Sequence, residues 1–140
     1  MTMPVAAESP VPLRRRERVT ARLAVAFARP LSGLPPRRLR RALELARRGA
    51  RPASADRALR ARQAVVTVSA RCAGQGCLQR SVATALLCRL YGRWPDWCTG
   101  VRVQPFRAHA WVEVDGRAVG ESGDTTLFRT VLSVRARSGR

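Results

Sequence analysis

Apolar positions recur with a helical spacing through the first two thirds of the chain and then alternate like a strand toward its end. The change of period predicts helices first and strands after. Arg14 to Ala28 reads as a helix in which Val19, Leu23 and Phe27 repeat every four residues, with Pro30 as its stop. Pro35-Pro36 sets up a second helix through Leu39, Leu43 and Ala46, ended by Gly49. Ser54 is the N-cap of a third, from Ala55 to about Val65. A fourth opens at Cys77 and runs about fifteen residues to Gly92, with Leu78, Val82, Leu86 and Leu90 as its core stripe. Arg93-Trp94-Pro95-Asp96-Trp97 reads as a loop. Strands follow from Cys98 to Val103, from near Ala108 to a turn at Asp115-Gly116, back through Val119, and from Leu127 to Val134.

This pattern divides the chain into a disordered start (1–12), an arginine-rich helical segment (13–66), an α+β core (67–134) and a basic tail (135–140). All of residues 13–65 reads as helix. At 140 residues the chain is one domain, with length for one core and no more.

Two residues turn this outline toward chemistry. Cys77 stands at a helix start, and His109, the only histidine, begins an alternating strand. A free thiol is little ionised at neutral pH, and the thiolate is the form that attacks carbonyls. The partial positive charge at a helix N-terminus lowers a thiol's pKa. A nearby imidazole takes the proton and later returns it to a leaving amine. Taken singly, such a cysteine or histidine is more often packing than catalysis; placed together, they predict a nucleophile and its base.

Charge adds a property, not a mechanism. The net charge is +18, carried by 27 arginines and no lysine; Asn and Ile are absent too, as in a protein from a GC-rich genome. Residues 1–62 hold 16 arginines against 4 acids, and residues 63–140 hold 11 against 5. Such a surface attracts nucleic acid, acidic peptides or acidic membranes without choosing among them. The arginine-rich helix faces read either as a solvated surface or as a docking face for a peptide or protein. Aromatics are few and no nucleic-acid-binding motif appears, so a basic nucleic-acid-binding protein is the weaker, non-enzymatic alternative. No signal peptide and no apolar run of spanning length are present, which predicts a cytoplasmic protein with reduced thiols. Cys72, Cys77, Cys88 and Cys98 lack the paired spacings of zinc sites, so no metal or cofactor is expected. Cys88, roughly 16 Å up the helix from Cys77, reads as core, and Cys72 and Cys98 as packed or partly exposed thiols.

The runs Cys77-Leu78-Gln79-Arg80-Ser81, Gly100-Val101-Arg102 and Phe106 to Gly116, with His109-Ala110-Trp111-Val112-Glu113 at its centre, resemble the leader peptidases of lasso-peptide biosynthesis, which are transglutaminase-like cysteine proteases. Leu34 to Leu39 also resembles the start of their stand-alone, actinobacterial-type members, so the likeness spans roughly residues 30–134. It implies a papain/transglutaminase-like core, with a catalytic cysteine at a helix N-terminus packed on an antiparallel sheet. It implies removal of the leader from a ribosomally made precursor, which frees the core amino terminus for an asparagine-synthetase-like cyclase. It also implies a separate, winged-helix-like protein that grips the leader. Carried over, Cys77 is the nucleophile, His109 the base, and Glu121 the third residue where the family has Asp.

Strand geometry bears on that third residue. If Val114-Asp115-Gly116 forms a three-residue loop, the facing pairs are Glu113 with Arg117, Trp111 with Val119, and His109 with Glu121. A two-residue Asp115-Gly116 turn would instead set Glu121 against Ala110. Asp115 itself lies about 20 Å along the strand from His109 and is a turn residue. Gln75 and Gln79 either donate to the oxyanion beside the Cys77 N–H or are ordinary surface polar groups. Trp94, Trp97 and Trp111 are candidates for the substrate cleft, and the first two read equally as caps on the core. Acyl transfer to an amine is the enzymatic alternative to hydrolysis, since the same constellation serves both.

Overall fold

The computed structural model describes residues 8–137. Five helices and six strands follow in the order α1 (Arg15–Ser32), α2 (Pro36–Arg47), β1 (Arg51–Pro52), α3 (Ala55–Val68), α4 (Ala70–Ala73), α5 (Cys77–Leu90), β2 (Arg93–Trp94), β3 (Asp96–Arg102), β4 (Arg107–Val114), β5 (Arg117–Ala118) and β6 (Arg129–Val134), with a 3₁₀ turn at Thr125–Leu127. The fold is α+β. A four-stranded antiparallel sheet, ordered β5-β4-β3-β6, carries α5 on one face, and α1 and α3 pack on α5. The central helix is therefore buried nearly all round, from Gln79 to Ala85 and again at Leu87 and Cys88. Its expected stripe is only partly inside: Val82 is fully buried, whereas Leu90 lies past the sheet and is 57% exposed.

The caps act where the sequence places them. Pro36 opens α2, whose Leu39 and Leu43 are buried. Ser54 accepts from the Arg57 N–H at 3.2 Å, and α3 runs three residues beyond its expected end to Val68. Pro30 does not stop α1. The helix continues to Ser32, whose hydroxyl donates to the Ala28 carbonyl at 2.7 Å.

The face that α1 turns inward is a correction. Val19, Leu23 and Phe27 are 53%, 49% and 66% exposed, while Ala21, Ala24 and Ala28 are buried against its neighbours. Small side chains let helix axes approach closely, and α1 packs against α5 and α3. The larger apolar row points out.

The segment expected as a loop is also structured. β2 pairs in parallel with β1, Arg51 with Arg93 and Pro52 with Trp94, so a strand also interrupts the helical segment. Trp94, Pro95 and Trp97 are among the most deeply buried side chains. The Trp94 indole donates to the Val134 carbonyl at 3.0 Å and the Trp97 indole to the Ser81 hydroxyl at 3.1 Å, so neither ring buries an orphan donor.

The β4–β5 hairpin turns on two residues. Asp115 and Gly116 both have positive φ, 53° and 79°, and Val114 faces Arg117. The three-residue register is thus overturned, since primed two-residue turns match the twist of the flanking strands. Glu113 faces Ala118, and the Val119 N–H donates to the Val112 carbonyl at 2.9 Å.

Residues 8–12, within the start expected to be disordered, make two backbone contacts with the helices. The Glu8 N–H donates to the Ala73 carbonyl and the Val11 N–H to the Thr67 hydroxyl, each at 3.0 Å, which ties this arm along α3 and α4. Residues 1–7 lie outside the described residues. So do residues 138–140 of the tail; ahead of them, Arg135 reaches Glu113 at 3.3 Å.

Candidate active site

Cys77 is the first residue of α5, and the turn before it is tight. Gly76, at φ −79° and ψ 54°, forms an inverse γ-turn in which the Cys77 N–H donates to the Gln75 carbonyl at 2.9 Å. A Cβ on residue 76 would lie 2.8 Å from the Arg71 carbonyl oxygen, so the residue before Cys77 has to be glycine. The same turn engages the Cys77 N–H internally, which removes it from the expected oxyanion donors.

His109 sits on β4, and one of its ring nitrogens, Nε2, is hydrogen-bonded to Glu121 Oε1. The Cys77 thiol lies close enough to couple to the same ring, and both groups open onto one cleft. The ring lies over Trp111 (centroids 5.8 Å apart, planes 14° apart) and beside Phe128 at 5.7 Å. This aromatic floor restricts rotation of the ring and holds Nε2 toward the carboxylate.

Glu121 reaches His109 although the hairpin register does not set them opposite each other. β5 ends at Ala118, and Gly120, at φ 71°, turns the chain back so that the carboxylate arrives beside the imidazole. Behind it stands Arg62 of α3, whose Nη2 donates to Glu121 Oε2 at 3.0 Å. Arg62 and Glu121 side chains are only 6% and 7% exposed.

The electrostatics follow from these contacts. Burial pushes the Cys77 thiol up, but the His109 hydrogen bond, the Ala110 N–H and the positive charges of His109 and Arg80 outweigh it, and its pKa falls below the ordinary 9.0. The hydrogen bonds to Cys77 and then to Glu121 raise His109 from 6.5 to about 9 against its burial. Burial would also raise Glu121, yet His109 and Arg62 hold it below 4.5. A lowered thiol pKa beside a raised imidazole pKa is the direction an activated nucleophile requires. Burial raises the other thiols: Cys72 goes up, and Cys88 and Cys98 reach about 12, the last with help from the Glu113 and Asp96 charges.

A cleft of about 470 Å³ opens over the three residues, with Gln75, Arg80, Arg107, Asp124, Thr125 and Phe128 among its walls. Gln75 is exposed at this cleft and remains a candidate oxyanion donor. Gln79 is not: its amide donates to the Val25 carbonyl of α1 at 3.3 Å. Trp94 and Trp97 belong to the core, and Trp111 lies beneath His109 rather than on the cleft wall. Sequence reasoning missed Arg62, Arg80 and Glu8. The signal for Arg62 was its place four residues after Ala58 and four before Val66, on the buried side of α3; the abundance of arginine hid it. Among the described residues, no cluster of three or more His, Cys, Asp or Glu side chains is placed to hold a metal. No helix there is long and apolar enough to cross a membrane.

A cysteine at the start of a central helix, an imidazole on the adjoining antiparallel sheet and a carboxylate behind it are the groups that thiol-dependent acyl transfer requires. Residues 21–133 match the transglutaminase-like superfamily, and the chain belongs to it. That membership places the protein with cysteine proteases and acyltransferases. No curated protein and no solved structure matches the chain significantly.

Proposed function

We propose that this protein is a cysteine peptidase that removes the leader from a ribosomally made lasso precursor and so frees the core amino terminus for macrocyclisation. The observation that carries the reading is the Cys77–His109–Glu121 alignment, built within runs that resemble the leader peptidases of that pathway. The Cys77 thiolate attacks the scissile carbonyl. The imidazolium gives its proton to the departing amine, and the leader stays on sulfur as a thioester. Water, deprotonated by the now neutral His109, releases the leader as a free acid. Glu121 holds the imidazole through both steps without taking its proton.

The partners in this reading are a separate leader-binding protein, which hands over the precursor, and an asparagine-synthetase-like cyclase, which uses the product. The outward row Val19, Leu23 and Phe27, with Arg15, Arg22 and Arg29 beside it on α1, supports a docking face there, because apolar side chains about half exposed invite cover. The test is cleavage of the precursor by the full chain with and without the leader-binding protein, across a salt series. Products are read by mass, with an added amine in one arm. A free-acid leader, with cleavage stimulated by the partner and weakened by salt, supports the reading. A leader amide formed with the added amine points to acyl transfer instead, and full selective cleavage by the chain alone removes the need for the partner.

A further inference from the structure

Arg62 is the charged residue of α3 that the fold buries, and it faces two carboxylates at once. Its Nη1 and Nη2 donate to Glu8 Oε2 and Oε1 at 2.5 and 2.7 Å, and Nη2 also to Glu121 Oε2 at 3.0 Å. The arm bearing Glu8 is itself pinned by its backbone to Ala73 and Thr67. Gly120 closes the other side: a Cβ there would lie 2.7 Å from Arg62 Cδ. A continuous chain of ionic contacts thus runs from the N-terminal arm through Arg62 and Glu121 to the imidazole.

We infer that Arg62 is a positioning residue for His109, acting through Glu121, and that Glu8 of the N-terminal arm clamps it for that task. This rests on the reading of Cys77, His109 and Glu121 as the site. The direct field of Arg62 on a thiolate–imidazolium pair nearly cancels, because the pair carries no net charge. Its influence therefore passes through Glu121, which it keeps ionised and turned toward the ring. Without Arg62, the buried Glu121 would face the Glu8 carboxylate with no cation between them. One of the two would take up a proton or swing away, and the imidazolium would lose its anchor. The other charged groups around the cleft are Arg80 of α5, Arg107 at the start of β4 and Asp124 beyond β5, and none of them is hydrogen-bonded to Glu121. A guanidinium suits the place because its fork reaches both carboxylates at once, which an ammonium does poorly.

The experiment follows alkylation of Cys77 by iodoacetamide against pH in the full chain, located by peptide mass, so no substrate is needed. In the wild type the midpoint should lie below the ordinary thiol range. Arg62→Gln should raise it by about one pH unit, the scale on which one charged neighbour moves a pKa. Arg62→Lys should recover part of that shift, and Glu8→Gln should give a smaller shift in the same direction. Glu8→Gln leaves the backbone at Gly120 and Glu121 untouched, so with Arg62→Lys it carries the test if Arg62→Gln does not fold. In precursor cleavage, kcat should fall while KM changes little. A merely structural role would lower Tm and leave the midpoint in place. A depressed wild-type midpoint that stays put in folded Arg62 and Glu8 variants overturns the inference alone. An ordinary wild-type midpoint overturns the reading of the site and this inference with it.

Discussion

Cys77 and Cys88 stand toward opposite ends of α5, and burial pushes both thiols toward the neutral form. Their outcomes diverge. At the C-terminal end, Cys88 is packed where α5 meets its helical neighbours and rises to about 12. At the N-terminal end, an imidazole, a backbone N–H and the Arg80 charge reverse the same penalty. Helix position and burial alone do not make a nucleophile. The sheet supplies the difference, since His109 and Ala110 come from β4 and Glu121 from the chain just beyond β5.

The sharpest way to break this comparison is to remove each thiol in turn. Cys77→Ala should abolish precursor cleavage with the fold intact. Cys88→Ala should cleave like the wild type and lose about 1 kcal/mol of stability, the usual cost of a small core change. Cleavage assays with thermal melts of both variants decide it, and residual cleavage by Cys77→Ala would overturn the assignment.

Next in size is the carboxylate. Glu121→Gln should slow cleavage by about 10²-fold or more, the scale of acid–base contributions. Asp115→Asn should leave the rate unchanged, because Asn accepts the left-handed φ of that turn. Comparable losses at both positions would contradict the placement of Glu121.

pH separates the two ends more gently. A His109 pKa of about 9, raised from 6.5, contributes stability that is fully present below 6.5 and drains away as pH climbs through about 9. The stability gap between wild type and His109→Ala should therefore narrow across that window in denaturant titrations. Cleavage should fall on the same alkaline side, as the imidazolium loses the proton meant for the leaving amine. The smallest effect belongs to α1: Leu23→Asp should change stability by no more than about 0.5 kcal/mol, as at an ordinary surface site. Ala24→Asp, on the opposite face, serves as the damaging control in the same melt.

Much of this was legible in the sequence. Ser54, Pro36 and the start of α5 fix helix ends through local chemistry, and local chemistry is what a sequence displays. The places of Cys77 at a helix start and His109 on a strand could be read for the same reason. The inward face of α1 could not, because Val19, Leu23 and Phe27 satisfy the periodicity as well as Ala21, Ala24 and Ala28 do, and only the neighbouring helices choose the smaller row. Pro95 disguised two core tryptophans as a loop. Glu121 stands beside His109, but not by the expected route: the two-residue turn shifts the strand register, and Gly120 then swings the carboxylate back. Arg62 needed the third dimension, since its carboxylates come from residues 54 and 59 positions away in the chain.

The ring stack under His109 has a practical consequence for spectroscopy. The chain contains a single histidine, so its imidazole carbon protons form one unoverlapped pair of resonances in a suitably labelled sample. With Trp111 nearly parallel at 5.8 Å and Phe128 at 5.7 Å, ring currents should displace those resonances from the values of a free imidazole. Their displacement would report whether the stack is closed, and their movement with pH whether the ring is charged. The two readouts come from the same pair of resonances, without substrate.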